Sequence, residues 1–220
     1  MIEAGFIARM SLLSRELACA GALGLLSALA PGALLPAAAR AQELPLAFDS
    51  ELIHLTVSDD SLEVDGTYWL ACTVGEGSIP LIYPFPADPR MGGARAVSVD
   101  IRRPGGEWAA VPYAMLPNGS ALRCRVPLLA ADTLEFRAVY RQALRERYAR
   151  YIVTTTRAWN RPLRRARFTV TLPAGATLGE TSYPFLPDTT SSAPRYLFET
   201  EQFWPERDII VEWEAPPAGL

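Results

Sequence analysis

Lysine is absent from this sequence, histidine occurs once and cysteine three times. Each shortage excludes chemistry. With His54 as the single imidazole, a zinc site would have one His and two Cys on separate strands, which is a poor ligand set. A Ser–His pair has no Gly-x-Ser-x-Gly elbow to serve it. The acids Asp59, Asp60, Glu63 and Asp65 lack the spacing of a calcium loop and read as turn acids at a solvated end. Nothing in the sequence implies a metal or a cofactor. A basic excess is missing too. There are 21 basic against 24 acidic residues, a net charge of −3, which argues against a dedicated nucleic-acid binder.

What is present begins with 23 uncharged residues between Glu16 and Arg40, rich in Ala, Leu and Gly. Arg9 and Arg15 precede them, and Ala39-Arg40-Ala41 follows with small residues at the −3 and −1 positions of a cleavage site. This order reads as a secretory signal peptide over 1–41 and a mature chain over 42–220. The competing reading is an uncleaved anchor, because 23 apolar residues can span a bilayer. Pro31, Gly32 and Pro36 shorten the apolar core and favour cleavage. The expected location is periplasmic or secreted, with no integral membrane segment after cleavage.

Beyond Gln42 the chain breaks into short alternating runs separated by Gly, Pro, Asn and Asp, the pattern of an all-β domain. Ile53, Leu55 and Val57 share a face, as do Tyr68, Leu70, Cys72 and Val74, and then Leu134, Phe136, Ala138 and Tyr140. By this alternation His54 points away from the core. Asp65-Gly66 reads as a turn or bulge. Glu107–Leu116 and Ser120–Leu128 read as a hairpin joined at Asn118-Gly119. Tyr151–Trp159, with its β-branched run, reads as a strand stopped by Pro162. Together these predict a single antiparallel β-sandwich, loosely immunoglobulin-like, of about nine to eleven strands.

Charge is segregated along the chain. Glu43 to Asp65 holds seven acids and no Arg, Arg137 to Arg167 holds ten Arg and one acid, and Glu180 to Glu214 holds eight acids and two Arg. One account has these segments become neighbouring strands that pair their charges across the sheet. The other has Arg157, Arg161 and Arg164 emerge beside Trp159 as an anion-binding rim.

The run YIVTTTRAWNRPL at 151–163, with IYPFP at 82–86 and SYPF at 182–185, resembles the pattern of uncharacterised exported bacterial β-sandwich proteins. Those families pair a Thr-Thr-x-x-Trp-x-x-Pro-Leu/Ile segment with Tyr-Pro-containing strands. The resemblance covers roughly residues 51–214. It implies a secreted all-β domain and supplies no activity or site residues.

The candidate binding residues are Arg157, Trp159, Arg161 and Arg164, with the Pro-flanked aromatics Tyr83, Phe85, Tyr183 and Phe185. The aromatics either form a binding surface at one end of the sandwich or plug the ends of its core. Cys72 and Cys124 both take inward parity and either pair in an oxidising compartment or remain buried thiols. The function expected is a non-enzymatic exported module that binds or helps assemble a cell-envelope component. Its partner would be an envelope protein or an anionic envelope component. The alternative is a secreted hydrolase using acidic residues alone. The purified exported protein is expected to begin at Gln42. Intact-mass data showing residues before Gln42 retained on a membrane-bound form would overturn this.

Overall fold

Alternation of apolar and polar side chains, read over twelve residues at a time, builds most of this structure. The computed structural model describes residues 46–72, 76–129 and 133–215. Residues 1–41, read from the sequence as a leader and including Cys19, lie outside the described residues, as does Val74. The described residues belong to one unit, Glu43–Leu220. Among them are β1 (Leu46–Val57), β2 (Ser61–Cys72), β3 (Gly77–Pro84), β4 (Met91–Arg102) and β5 (Ala109–Ala110). There follow β6 (Tyr113–Met115), β7 (Ala121–Leu128), β8 (Thr133–Leu144), β9 (Tyr148–Tyr151) and β10 (Leu163–Thr171). The last are β11 (Thr177–Thr181), β12 (Leu186–Pro187), β13 (Arg195–Phe203) and β14 (Ile209–Glu214). The all-β expectation holds. Fourteen strands exceed the expected number because β5, β6 and β12 are pieces of two or three residues.

One eight-stranded sheet runs β12-β13-β10-β1-β2-β8-β4-β5, and two three-stranded sheets, β11-β14-β9 and β3-β7-β6, accompany it. A single core joins all three. It takes Ile53, Leu55, Leu62, Val64, Phe136 and Phe168 from the large sheet, Leu122 and Val126 from β7, and Ile209 and Val211 from β14. Burial of such side chains, at about 25 cal/mol per Å² of apolar surface, is the main stabilising contribution. The central strand β1 pairs antiparallel with β2 on one side and parallel with β10 on the other.

Among the register shifts of the described strands, two displace the alternation on β4 and β1. Between Ala96 and Ser98 the β4–β8 register slips. Val97 is therefore left 45% exposed while Val99 and Ile101 stay buried. Between Phe48 and Ser50 the β1–β2 register slips in the same way. Asp65-Gly66 lies inside β2 rather than at a turn. The Asn118-Gly119 hairpin forms as expected between β6 and β7. Gly119 takes φ +67°, and Asn118 Oδ1 accepts from the Ser120 amide and hydroxyl.

The segregated charges become strand neighbours. Arg137 reaches Asp65 with two contacts at 2.8 and 2.5 Å, Arg141 lies opposite Glu63 at 2.7 Å, and Arg165 pairs with Glu199. Beyond β8 the chain leaves the large sheet, and β9 pairs with β14.

The expected bridge between Cys72 and Cys124 is not formed; both are buried free thiols. Cys72 stands opposite Leu46 in the large sheet, and Cys124 stands opposite Leu81 and Tyr113 in a small one. Each packs as a small apolar residue. Burial pushes the Cys124 thiol up to about 11, so it is a poor nucleophile for oxidation. Protein unfolded without reductant should titrate two thiols from these positions. Finding none would restore the bridge.

Candidate functional site

The bulge at Asp49 is where the site begins. Phe48 pairs with Leu70, and Ser50 pairs with Trp69. The extra residue allows Phe48 and Glu51, three apart, to point to the same face, which regular alternation forbids. Asp49 turns outward and accepts from Arg164 at 2.9 Å. Glu51 turns inward and is 2% exposed.

Glu51 lies in a row that crosses the large sheet: Ala166 of β10, Glu51, Tyr68 of β2, Phe136 of β8. Ala166 is small. Gly66 makes a second allowance, because a Cβ there would lie 2.3 Å from the Tyr68 hydroxyl. The Tyr68 ring therefore folds back over Gly66, and its Oη meets Tyr83 Oη at 2.7 Å and Tyr151 Oη at 2.9 Å. Three strands from three sheets thus converge in one chain of hydroxyls.

Above this row is a cavity of about 100 Å³, open on one side. Phe48, Leu70 and Phe136 form its floor, Leu81 and Tyr83 one wall, and Thr155 and Trp159 another. Phe48 meets Tyr68 at 5.7 Å between ring centroids and Trp159 at 6.0 Å, edge to face. Among the described residues the lining includes no Arg and no carboxylate besides Glu51. Neither Glu51 oxygen meets a donor among the described residues at hydrogen-bonding distance and angle, although the Tyr151 hydroxyl lies near enough to act on the carboxyl. Burial raises its carboxyl to about 8, and the nearby Tyr151 hydroxyl offsets this only in part. The same burial holds Tyr68, Tyr83 and Tyr151 well above the ordinary phenol range.

The wall that carries Trp159 is a correction. Thr154–Trp159 is a 3-10 helix, not the end of a strand. Asp208 holds its start: one carboxylate oxygen accepts from the Val153 and Thr154 amides and the Thr154 hydroxyl, the last at 2.7 Å. The other oxygen takes Arg150 at 2.7 and 2.9 Å. Thr156 bonds back to the Val153 carbonyl through both its amide and its hydroxyl. Threonine hydroxyls that satisfy nearby backbone favour such turns over a strand. Asn160, at φ 54°, ends the helix; Asn tolerates that region better than most residues.

Of the residues expected to bind, Trp159 and Tyr83 come together at the cavity. Phe85 is buried beside Tyr140, with ring centroids 4.7 Å apart. Tyr183 and Phe185 join a different aromatic group around Phe198, with Tyr183 stacked on it at 5.0 Å. The arginines have partners of their own. Arg164 is paired with Asp49, the guanidinium of Arg157 lies 5.5 Å over Trp204, and Arg161 adds its field at Asp49. His54 is exposed, as expected. Glu51 itself was missed, although it shares the parity of Ile53, Leu55 and Val57; an acid on a buried parity was the available signal.

No family model matches the chain, and no curated protein matches it. Solved structures share its fold. A protein of Legionella pneumophila described as a candidate nutrient binding protein superposes with a TM-score of 0.60 at 14% identity, over 78% of this chain and 67% of that one. An M1 zinc metallopeptidase of Deinococcus radiodurans aligns at 18% identity with a TM-score of 0.47, over 76% of this chain and 42% of its own. At these identities the likeness is one of fold.

The buried carboxyl makes stability depend on pH. An unfolded Glu51 gives up its proton near 4.5 and the folded one near 8. Between these values the native state holds one more proton than the unfolded chain, so stability is full below 4.5, falls as pH rises, and levels off above 8. The loss amounts to roughly 5 kcal/mol across that window, at about 1.4 kcal/mol per unit. Glu51→Gln should remove this slope in denaturant titrations at pH 5, 6.5 and 8. An unchanged slope would mean that Glu51 is solvated.

Proposed function

We propose that the chain is an exported, non-enzymatic β-sandwich module that binds a small molecule of the cell envelope in the cleft over Glu51. One observation carries this reading: a fully buried carboxyl with two unpartnered oxygens faces a cavity walled by Phe48, Phe136 and Trp159. A group so placed costs stability, and such costs are characteristic of binding sites. Export rests on the leader read over 1–41. The fold shared with the Legionella protein, which is described as a candidate for nutrient binding, agrees with a binding role.

Catalysis has less support. Hydrolysis by acidic residues needs a second carboxyl across the substrate, and Glu51 is the sole acid of the lining. The arginine rim is a weaker site than the cleft, since Arg164 and Arg165 are already engaged with Asp49 and Glu199.

Protein taken from the envelope fraction of the producing cell and analysed by native mass spectrometry should carry a small mass, released unchanged on unfolding. Trp159→Ala should lower its retention about tenfold, equivalent to 1.4 kcal/mol, when both proteins are compared at a temperature where each is folded. A bound mass converted to product with time, or retention indifferent to Trp159, would defeat the proposal.

A further inference from the structure

We propose that the group received by Glu51 is a primary ammonium, so that the cleft selects small alkylamines or the amine end of a larger envelope molecule. This deepens the reading of the cleft as the binding site and rests on it.

An anionic ligand would meet a buried carboxyl with no cation in the lining. A neutral hydrocarbon would leave both Glu51 oxygens as they are, buried and without partners. A calcium ion takes six to eight oxygens, and a single carboxylate with tyrosine hydroxyls does not supply them. A quaternary ammonium suits aromatic walls but has no N–H for the two orphan oxygens. A primary ammonium has three donors and no acceptor. Two can go to Glu51 Oε1 and Oε2, and the third to the hydroxyl chain of Tyr68, Tyr83 and Tyr151, whose oxygens keep acceptor capacity beyond their mutual bonds. The faces of Phe48, Tyr68 and Trp159 add attraction for the cation, which is stronger in a desolvated site.

Size agrees. A cavity of about 150 Å³ holds a benzene ring, so about 100 Å³ takes an ammonium and a few carbons, with the rest leaving past Trp159.

The charge must balance. In the empty cleft the groups facing Glu51 are Tyr68 from β2, Tyr83 from β3 and Tyr151 from β9, all held neutral. Glu51 is itself protonated at neutral pH. When the ammonium enters, the Glu51 proton leaves to solvent and a carboxylate–ammonium pair forms. Binding therefore releases one proton below pH 8. Affinity should rise about 50-fold from pH 6 to pH 8 and change little from there to 9.

Calorimetry in buffers of different ionisation enthalpy tests this with n-butylammonium, n-butanol and tetramethylammonium as probes. At pH 8 n-butylammonium should bind at least about tenfold more tightly than the other two, and at pH 6.5 it should release close to one proton. Glu51→Gln, with an unfolding midpoint no lower than wild type at pH 7, should lose both the preference and the proton release. Equal binding of butanol and butylammonium without proton release, weakened for both by Trp159→Ala, would overturn the ammonium and keep the cleft. Tetramethylammonium matching butylammonium would overturn the requirement for N–H donors. Saturable binding by none of the three would overturn both readings.

Discussion

Burial of an ionisable group on the inner face of β1 is the constraint to which the centre of this protein is fitted. A strand in the middle of an eight-stranded sheet has its core face covered along its length, and here one position of that face is Glu51. Such a group is costly unless something offsets it. The nearby Tyr151 hydroxyl offsets only part of it. Gly66 admits the Tyr68 ring, Ala166 leaves space on the other flank, and the bulge at Asp49 turns Phe48 to the same side. Asp208, from the loop before β14, fixes the helix that brings Trp159 to the rim. These are separate parts of the sequence, and they have Glu51 in common.

On the outer face the governing factor is charge. β1 and β2 carry acids, β8 and β10 carry arginines, and β13 carries acids again, so unlike strands are neighbours at three of the four steps from β13 to β8. Exposed pairs of this kind contribute about 0–1 kcal/mol each. Their larger effect is on specificity: a strand in the wrong place would set like charges opposite one another, which destabilises the pairing. Core burial holds the sandwich together, and the charge pattern helps decide which strand lies beside which.

Much of this was legible in the residues. Runs such as Leu134–Tyr140 and Phe168–Leu172 alternate so cleanly that strand identity and buried face follow from period alone, and the acid and arginine blocks announced their pairing. The site was harder to see. Its floor depends on a bulge, and nothing local to Phe48-Asp49-Ser50 marks one. Thr154-Thr155-Thr156 has the propensity of a strand, but its fate is settled by a carboxylate more than fifty positions away, in the manner of tertiary override. The cysteines shared inward parity, yet parity places a residue on a face without saying which sheet it belongs to.

The parallel pairing of β1 with β10 bears on how the molecule comes into being. Ser50 finds its partner Arg165 across most of the domain, so the sheet's middle strand has one of its two neighbours missing until that distant segment arrives. Contacts of such wide separation are formed late and slowly, since the entropy of closing the intervening loop must be met first. A partly emerged chain would hold β1 and β2 as a hairpin with one open, apolar-backed edge, a species prone to sticking. The topology therefore resists closure of the large sheet until the segment carrying β10 is available to complete it.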